Sequence, residues 1–286
     1  MLIAACCLAS MGAVTKILGK KFPSVELVFF RNLIGTVILC VSFFIEPIKQ
    51  AGGRFRLLVF RGMIGALSLF AFYYCLTKLQ LAVANTYNLT YPIFIAIISV
   101  LVLRKKLQLS HWMGILIGFA GVVLVFRPDL NFPLKYHLIG LFSGLGTAVG
   151  YITINKLAGI YDRRVVVLSF LLTGLALSCI SFLVGLYYQN AHFDFLLAPF
   201  SMPVGTEWLL LGLMGTVALV AQIFITRAYS FGKPNVVGPV NFIQIPFAMM
   251  YGLLLGDFFP SFYSAAGILL IIGSGVLITV FSDRIS

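Results

Sequence analysis

Carboxylates are scarce in this chain, with 8 Asp and Glu against 20 Lys and Arg in 286 residues. Glu26, Glu46, Asp129 and Asp162 fall at the ends of apolar runs or between them, as do Asp194, Glu207, Asp257 and Asp283. No acid therefore sits mid-membrane, which removes the central residue of an exchanger that alternates a proton and a cationic compound on one buried carboxylate. His111, His137 and His192 are connector histidines with no metal spacing, and no Ser/His/Asp set, phosphate loop or HExxH pattern occurs. The chain is thus read as not an enzyme, with no cofactor and no metal. Its cysteines, Cys6, Cys7, Cys40, Cys75 and Cys179, all lie in apolar runs, where a thiol packs as a small hydrophobe and implies no disulfide framework. The opening MLIAACCLASMGA lacks the basic n-region of a secretory signal and is read as a first membrane span.

What is present in abundance is apolar sequence. The chain is 61% hydrophobic and 10% charged, with a mean hydropathy of +1.07, whereas soluble domains are about a quarter charged. A membrane span needs about 20 apolar residues, and ten segments fit: roughly 2–18, 25–45, 57–77, 83–103, 111–126, 136–156, 164–187, 207–228, 235–255 and 261–281. No soluble domain is left over. The net charge of +12 is spread over connectors rather than gathered on one surface, so nucleic acid is not an expected partner.

The sidedness of those charges sets the orientation. With the amino terminus in the cytosol, inner connectors hold Lys49, Arg54, Arg56 and Arg61, then Arg104, Lys105 and Lys106. Lys156, Arg163, Arg164, Arg227, Lys233 and Arg284 follow on the same side, while outer connectors hold Lys20, Lys21, Lys78, Arg127 and Lys135. The excess of inner charge places both termini inside.

A repeat is visible as well. GILIGFAGVVL at 114 aligns without gaps on GILLIIGSGVL at 267, and each follows a polar, proline-containing span, LTYPIF at 89–94 and FIQIPF at 242–247. Two five-span halves, 1–127 and 136–286, follow. Because five is odd, the second half must be inverted, and connectors exchange charge character accordingly: inner LRKKL at 103–107 corresponds to outer LGDFF at 255–259, and inner KQAGGRFR at 49–56 to the segment 188–206, which has no Lys or Arg. Inverted repeats are a common build for secondary transporters, with substrate bound near midplane between the halves.

Charges within spans are costly and mark functional sites. Arg31, in VELVFFRNLIG, either grips an anionic group or pairs with Glu26 or backbone carbonyls; Lys16, in MGAVTKILGKK, either joins it or reaches the headgroups. Asn85, Asn88 and Pro92 share one helix face, with Tyr91 beside it, while Tyr87 and Thr90 point elsewhere. That face either lines a solvated cavity or bonds to neighbouring helices. The ninth span repeats the theme with Asn235, Asn241 and Gln244 before Pro246. Gln222, the pair Tyr73 and Tyr74, and Asn155 complete the candidate substrate-binding set, with Pro92 and Pro246 as candidate hinges. Glycines at 114, 118, 121, 140, 144, 146 and 150 permit close helix packing.

Through MGAVTKIL, FPSVELVFFRNLIG and LTYPIFIAIISVLVLRKKLQLSHWMGILIGFAGVVLVF, and more weakly through FIQIPFAMMYGLLLGDFFPSFYSAAGILLIIGSGVLI, the chain resembles the drug/metabolite transporter superfamily, in its ten-span EamA-type branch. Arg31 after the aromatic pair, Pro92 and Gly114 match position by position. The resemblance implies an all-α integral membrane protein of two inverted five-helix repeats, with a central cavity lined by spans 1, 3, 4, 6, 8 and 9 and with spans 5 and 10 peripheral. It departs at the connector after span 4, where family members usually carry an acid and this chain has Arg104, Lys105 and Lys106.

The expected function is secondary transport of a small polar, anionic or zwitterionic metabolite, amino-acid-like or nucleotide-related, across a bacterial cytoplasmic (inner) membrane by alternating access. The alternative is an exporter of apolar or cationic drugs and metabolites, in which aromatic residues dominate the cavity and Arg31 is structural. The expected partners are the small-molecule substrate and membrane lipid, with the protein acting as a monomer or a homodimer.

Overall fold

The computed structural model describes residues 1–48, 52–102, 109–126, 133–187, 195–197, 200–232, 234–259 and 261–282. The basic connector Arg104, Lys105 and Lys106 lies outside these residues, as do Lys49, Arg127, Lys233 and Arg284, the acids Asp129, Asp194 and Asp283, and His192. His111 and Asn235 fall in helices, but their side chains are not among those described.

All regular structure among the described residues is helical. Lipid imposes this, because backbone N–H and C=O groups there find no water and must bond to each other. In chain order the helices are α1 (Leu2–Leu18), α2 (Ser24–Ile45), α3 (Phe55–Lys78), α4 (Leu81–Asn88), α5 (Tyr91–Leu101) and α6 (Leu109–Phe126). They continue as α7 (Leu134–Leu157), α8 (Arg163–Tyr187), α9 (Glu207–Phe231), α10 (Pro234–Val240), α11 (Gln244–Leu254) and α12 (Phe262–Ser282). Against ten expected spans, six helices among the described residues are long and apolar enough to cross a membrane: α2, α3, α4 with α5, α7, α8 and α9. The stretches Leu2–Leu18, Asn241–Leu254 and Ala265–Leu277 are apolar but shorter.

Two interruptions shape the middle of the bundle. Between α4 and α5 the helix breaks at Leu89 and Thr90, and between α10 and α11 a 3-10 turn covers Asn241–Ile243. Pro92 and Pro246 lie just after these breaks. Each lacks an N–H, and its ring collides with the carbonyl four residues back, Asn88 and Phe242, so the break falls where a proline forbids the helical bond.

Helices pair as α6 with α12, α3 with α7, α1 with α9 and α2 with α8. Small residues allow close approaches between helices. A Cβ on Gly121 would come within 2.7 Å of the Gly267 carbonyl oxygen, and one on Gly140 within 2.8 Å of the Tyr87 ring. Outward faces are apolar, as with Val37, Val41 and Phe44 on α2 and Leu183 and Leu186 on α8, which are exposed and suit contact with acyl chains. His137 is not a connector residue: it lies buried in α7, 2.6 Å from the Tyr87 hydroxyl through Nδ1. Arg164 in the first turn of α8 donates to the carbonyls of Ser42 (3.1 Å) and Glu46 (2.8 Å), tying off the end of α2. Burial pushes its neighbour Asp162 up, but hydrogen bonds from Arg164 bring that carboxyl to rest below its ordinary value.

Candidate substrate-binding cavity

A cavity of about 60 Å³ lies among α1, α2, α3, α4, α7, α8, α9 and α11. Where one water needs roughly 10–15 Å³, that is room for a few waters or the head of a small molecule. Two arginines dominate its lining. Arg31 enters from α2 and Arg61 from α3, each 3% exposed. Both lie over the ring of Phe170 on α8, with guanidinium carbons 5.2 Å and 4.8 Å from its centroid. Because both distances run to one ring centre, the two guanidinium carbons lie within about 10 Å of each other, where unit charges repel by about 1.7 kcal/mol at an effective dielectric near 20.

Neither charge is neutralised among the described residues. Arg31 Nη1 donates to Asn32 Oδ1 at 2.9 Å, but its buried Nε has no partner, nor do Nε and Nη1 of Arg61. The expected alternative, Arg31 paired with Glu26, does not occur: Glu26 accepts instead from the Ser201 amide (3.2 Å) and hydroxyl (2.9 Å). The two residues are five apart on α2, a spacing that does not bring side chains together.

Polar groups complete the lining. Ser68 on α3 donates to the Ser143 carbonyl at 2.7 Å and stands 2.8 Å from the Thr147 hydroxyl, which accepts from Asn88 at 3.0 Å. Tyr151 on α7 stacks on Tyr229 at 4.3 Å and meets the edge of Tyr91 at 5.0 Å. Gln222 lies within reach of Thr226 at 3.5 Å, and Gln244 donates to Asn85 Oδ1 across the α4 and α11 interface. Leu8, Met11, Leu69, Phe72 and Ile225 supply apolar wall.

Of the expected binding set, Arg31, Asn88, Gln222 and Gln244 line this cavity. Asn85 stands behind Gln244, with its amide nitrogen donating to the Leu81 carbonyl at 2.7 Å. The others lie elsewhere. Lys16 pairs with Asp257, whose second oxygen accepts the Leu81 amide at 3.0 Å. Tyr74 packs on Tyr136 at 5.7 Å with Lys78 and Lys135 above its ring, and its neighbour Tyr73 is fully buried against Phe72. Tyr91 donates its hydroxyl to the Gly238 carbonyl at 2.8 Å, Asn155 donates to the Tyr229 carbonyl at 3.0 Å, and Asn241 donates to Gln244 at 3.2 Å. The first two are helix-to-helix ties, the second of the two readings open for a polar membrane face, and the third is local to the break before α11. Tyr87 and Thr90 do serve packing, Thr90 donating to the Tyr87 carbonyl at 2.7 Å.

Sequence reading placed Arg61 among the inner connector charges, and this is corrected: it is the seventh residue of α3 and lines the cavity. A signal was present, since FRNLIG at 30–35 and FRGMIG at 60–65 repeat the same Phe-Arg and Ile-Gly spacing. Ser68, Thr147 and Phe170 carried no signal, because a lone hydroxyl or ring in an apolar helix is ordinary.

The model of the EamA-like transporter family matches residues 1–127. An uncharacterized transporter of Helicobacter pylori is 31% identical over 284 residues, covering 98% of this chain and 93% of its own. The pseudopaline exporter of Pseudomonas aeruginosa is 26% identical over 263 residues, covering 92% and 88%. The S-adenosylmethionine uptake transporter of Rickettsia prowazekii is 22% identical over 275 residues, covering 94% and 87%. In fold, a crystal structure at 20% identity superposes with a TM-score of 0.70, covering 99% of this chain and 98% of that one.

Proposed function

Since the chain belongs to the EamA-like transporter family and is a multi-pass membrane transporter of a small molecule rather than an enzyme, we propose that it is a secondary transporter whose cargo is a small polar, anionic or zwitterionic metabolite. The observation that carries this reading is Arg31, buried at the cavity wall with no carboxylate beside it among the described residues. A guanidinium cannot shed its charge to escape desolvation. An anionic group on the cargo supplies the missing partner through charge-assisted, often bidentate, hydrogen bonds. Asn88, Gln222 and Gln244 hydrogen-bond the rest of the molecule. The rival reading, export of apolar or cationic compounds, is opposed by two cations in one small cavity.

In the proposed mechanism ten spans form two inverted halves, 1–127 and 136–286, and rocking between them exposes the cavity to each side in turn. The pairing of helices supports the inversion. α1 lies on α9 as α7 lies on α3, α2 meets α9 as α8 meets α3, and α2 with α8 and α6 with α12 pair across the halves. Matched breaks beside Pro92 and Pro246 support flexing at corresponding points. Both termini face the cytosol of a bacterium-like cell, since removing Arg61 from the inner connectors still leaves twelve basic residues there against five outside.

The test is uptake or counterflow in proteoliposomes. Arg31→Ala and Arg31→Lys are expected to reduce transport about tenfold or more, the value of one charge-assisted hydrogen bond, while the protein still inserts and elutes as wild type. Normal transport by a correctly inserted Arg31→Ala protein removes the anion argument.

A further inference from the structure

Arg61 makes the cavity doubly charged, and this narrows the cargo within the anionic reading on which the inference rests. We propose that the site is built for a small acid with two negative groups, a short dicarboxylate in the first instance, one group held by Arg31 and the other by Arg61.

Both guanidinium groups are buried, share one phenyl ring and have nitrogens with no partner. Each described carboxylate that could have served is engaged elsewhere: Glu26 with Ser201, Asp162 with Arg164, Glu207 with Lys21, and Asp257 with Lys16. Glu46 lies at the end of α2, beyond the cavity lining. A monoanion would compensate one arginine and leave the other buried and unpaired, the costly state for an ion. A zwitterion would be worse, because its ammonium group would face a guanidinium at short range. Two negative groups match both charges and relieve their mutual repulsion.

The way the arginines enter also suggests the spacing. Arg31 is the eighth residue of α2 and Arg61 the seventh of α3, so each backbone lies about 10 Å in from the start of its helix. α3 begins on the side where α2 ends. The side chains therefore reach the cavity from opposite sides, and the groups they hold are separate ones at the two ends of a short acid. Phe170, whose ring both guanidinium groups lie over, lines the cavity beside them and adds apolar wall.

Four compounds of matched size test this on the purified full-length protein in nanodiscs of zwitterionic lipid, which supply no anionic headgroup. Thermal unfolding is measured against succinate, glutarate, butyrate and 4-aminobutyrate, because a ligand of the folded state raises the unfolding midpoint by mass action. Succinate or glutarate is expected to half-saturate at a concentration about tenfold or more below that of butyrate or 4-aminobutyrate, the worth of a second charge-assisted contact. Arg61→Gln should erase that preference and Arg61→Lys retain most of it. Equal stabilisation by butyrate or 4-aminobutyrate overturns the two-charge inference while leaving the single-anion reading intact. Arg61→Gln keeping the dicarboxylate preference also overturns it. Failure of all four acids, where cationic or apolar compounds stabilise, overturns both.

Discussion

Lys16 and Arg31 looked alike in the sequence, each a cation inside an apolar run, and their surroundings separate them. Lys16 sits in the last turn of α1, close enough to reach Asp257 and the Leu79 carbonyl at 3.4 Å. Arg31 is too deep for any carboxylate among the described residues to reach it, and it lines the cavity. We expect Lys16→Ala and Asp257→Ala to lower thermal stability comparably, with a coupling of about 1 kcal/mol in the double-mutant cycle, as for a partly exposed pair. Transport should fall equally in both variants. A loss confined to Lys16→Ala would show that this lysine contacts cargo and is more than a clasp. Arg31 could be read from sequence because depth in a span is visible there. Arg61 was obscured by Arg54 and Arg56 seven and five residues earlier, which made it look like the tail of a connector. Asn155 and Tyr91 donate to backbone carbonyls instead of lining the cavity; a polar group in an apolar helix shows the need for a partner but not whether that partner is a ligand or a neighbouring carbonyl.

At the scale of the element, prolines were the most informative residues. Pro92 and Pro246 forecast interruptions that occur two to five residues before them, because the lost hydrogen bond belongs to the carbonyl one turn earlier. What sequence could not give is how the broken helices meet. Gln244 at the start of α11 bonds Asn85 in α4, joining the two interrupted elements at the cavity wall. If these breaks are hinges, Pro92→Ala should restore the missing N–H donor, hold or raise the unfolding temperature, and slow transport several-fold. Transport at the wild-type rate in a stable Pro92→Ala protein would assign the break to packing alone. Helix boundaries themselves were legible to within a few residues, since hydropathy in lipid depends on length and composition more than on tertiary partners.

The whole molecule is a helical bundle with two arginines in its cavity, and in the proposed mechanism its two halves recognise cargo by charge and release it by alternating access. The proposed repeat rests on GILIGFAGVVL and GILLIIGSGVL, yet these glycine helices, α6 and α12, pack on each other and contribute none of the described residues that line the cavity. The cavity lining is assembled from residues scattered over eight helices, a pattern no linear motif records. The central claim, that the cavity selects negative charge, is open to one direct measurement. Cys6, Cys7, Cys40, Cys75 and Cys179 are replaced by serine or alanine, Thr147 is changed to Cys, and labelling rates are compared for anionic and cationic methanethiosulfonates of similar size. The account predicts labelling about tenfold faster by the anionic reagent, as a charged cleft concentrates ions of opposite sign, with the difference lost when Arg31 and Arg61 are both changed to Gln. Equal rates, or faster labelling by the cation, would contradict it.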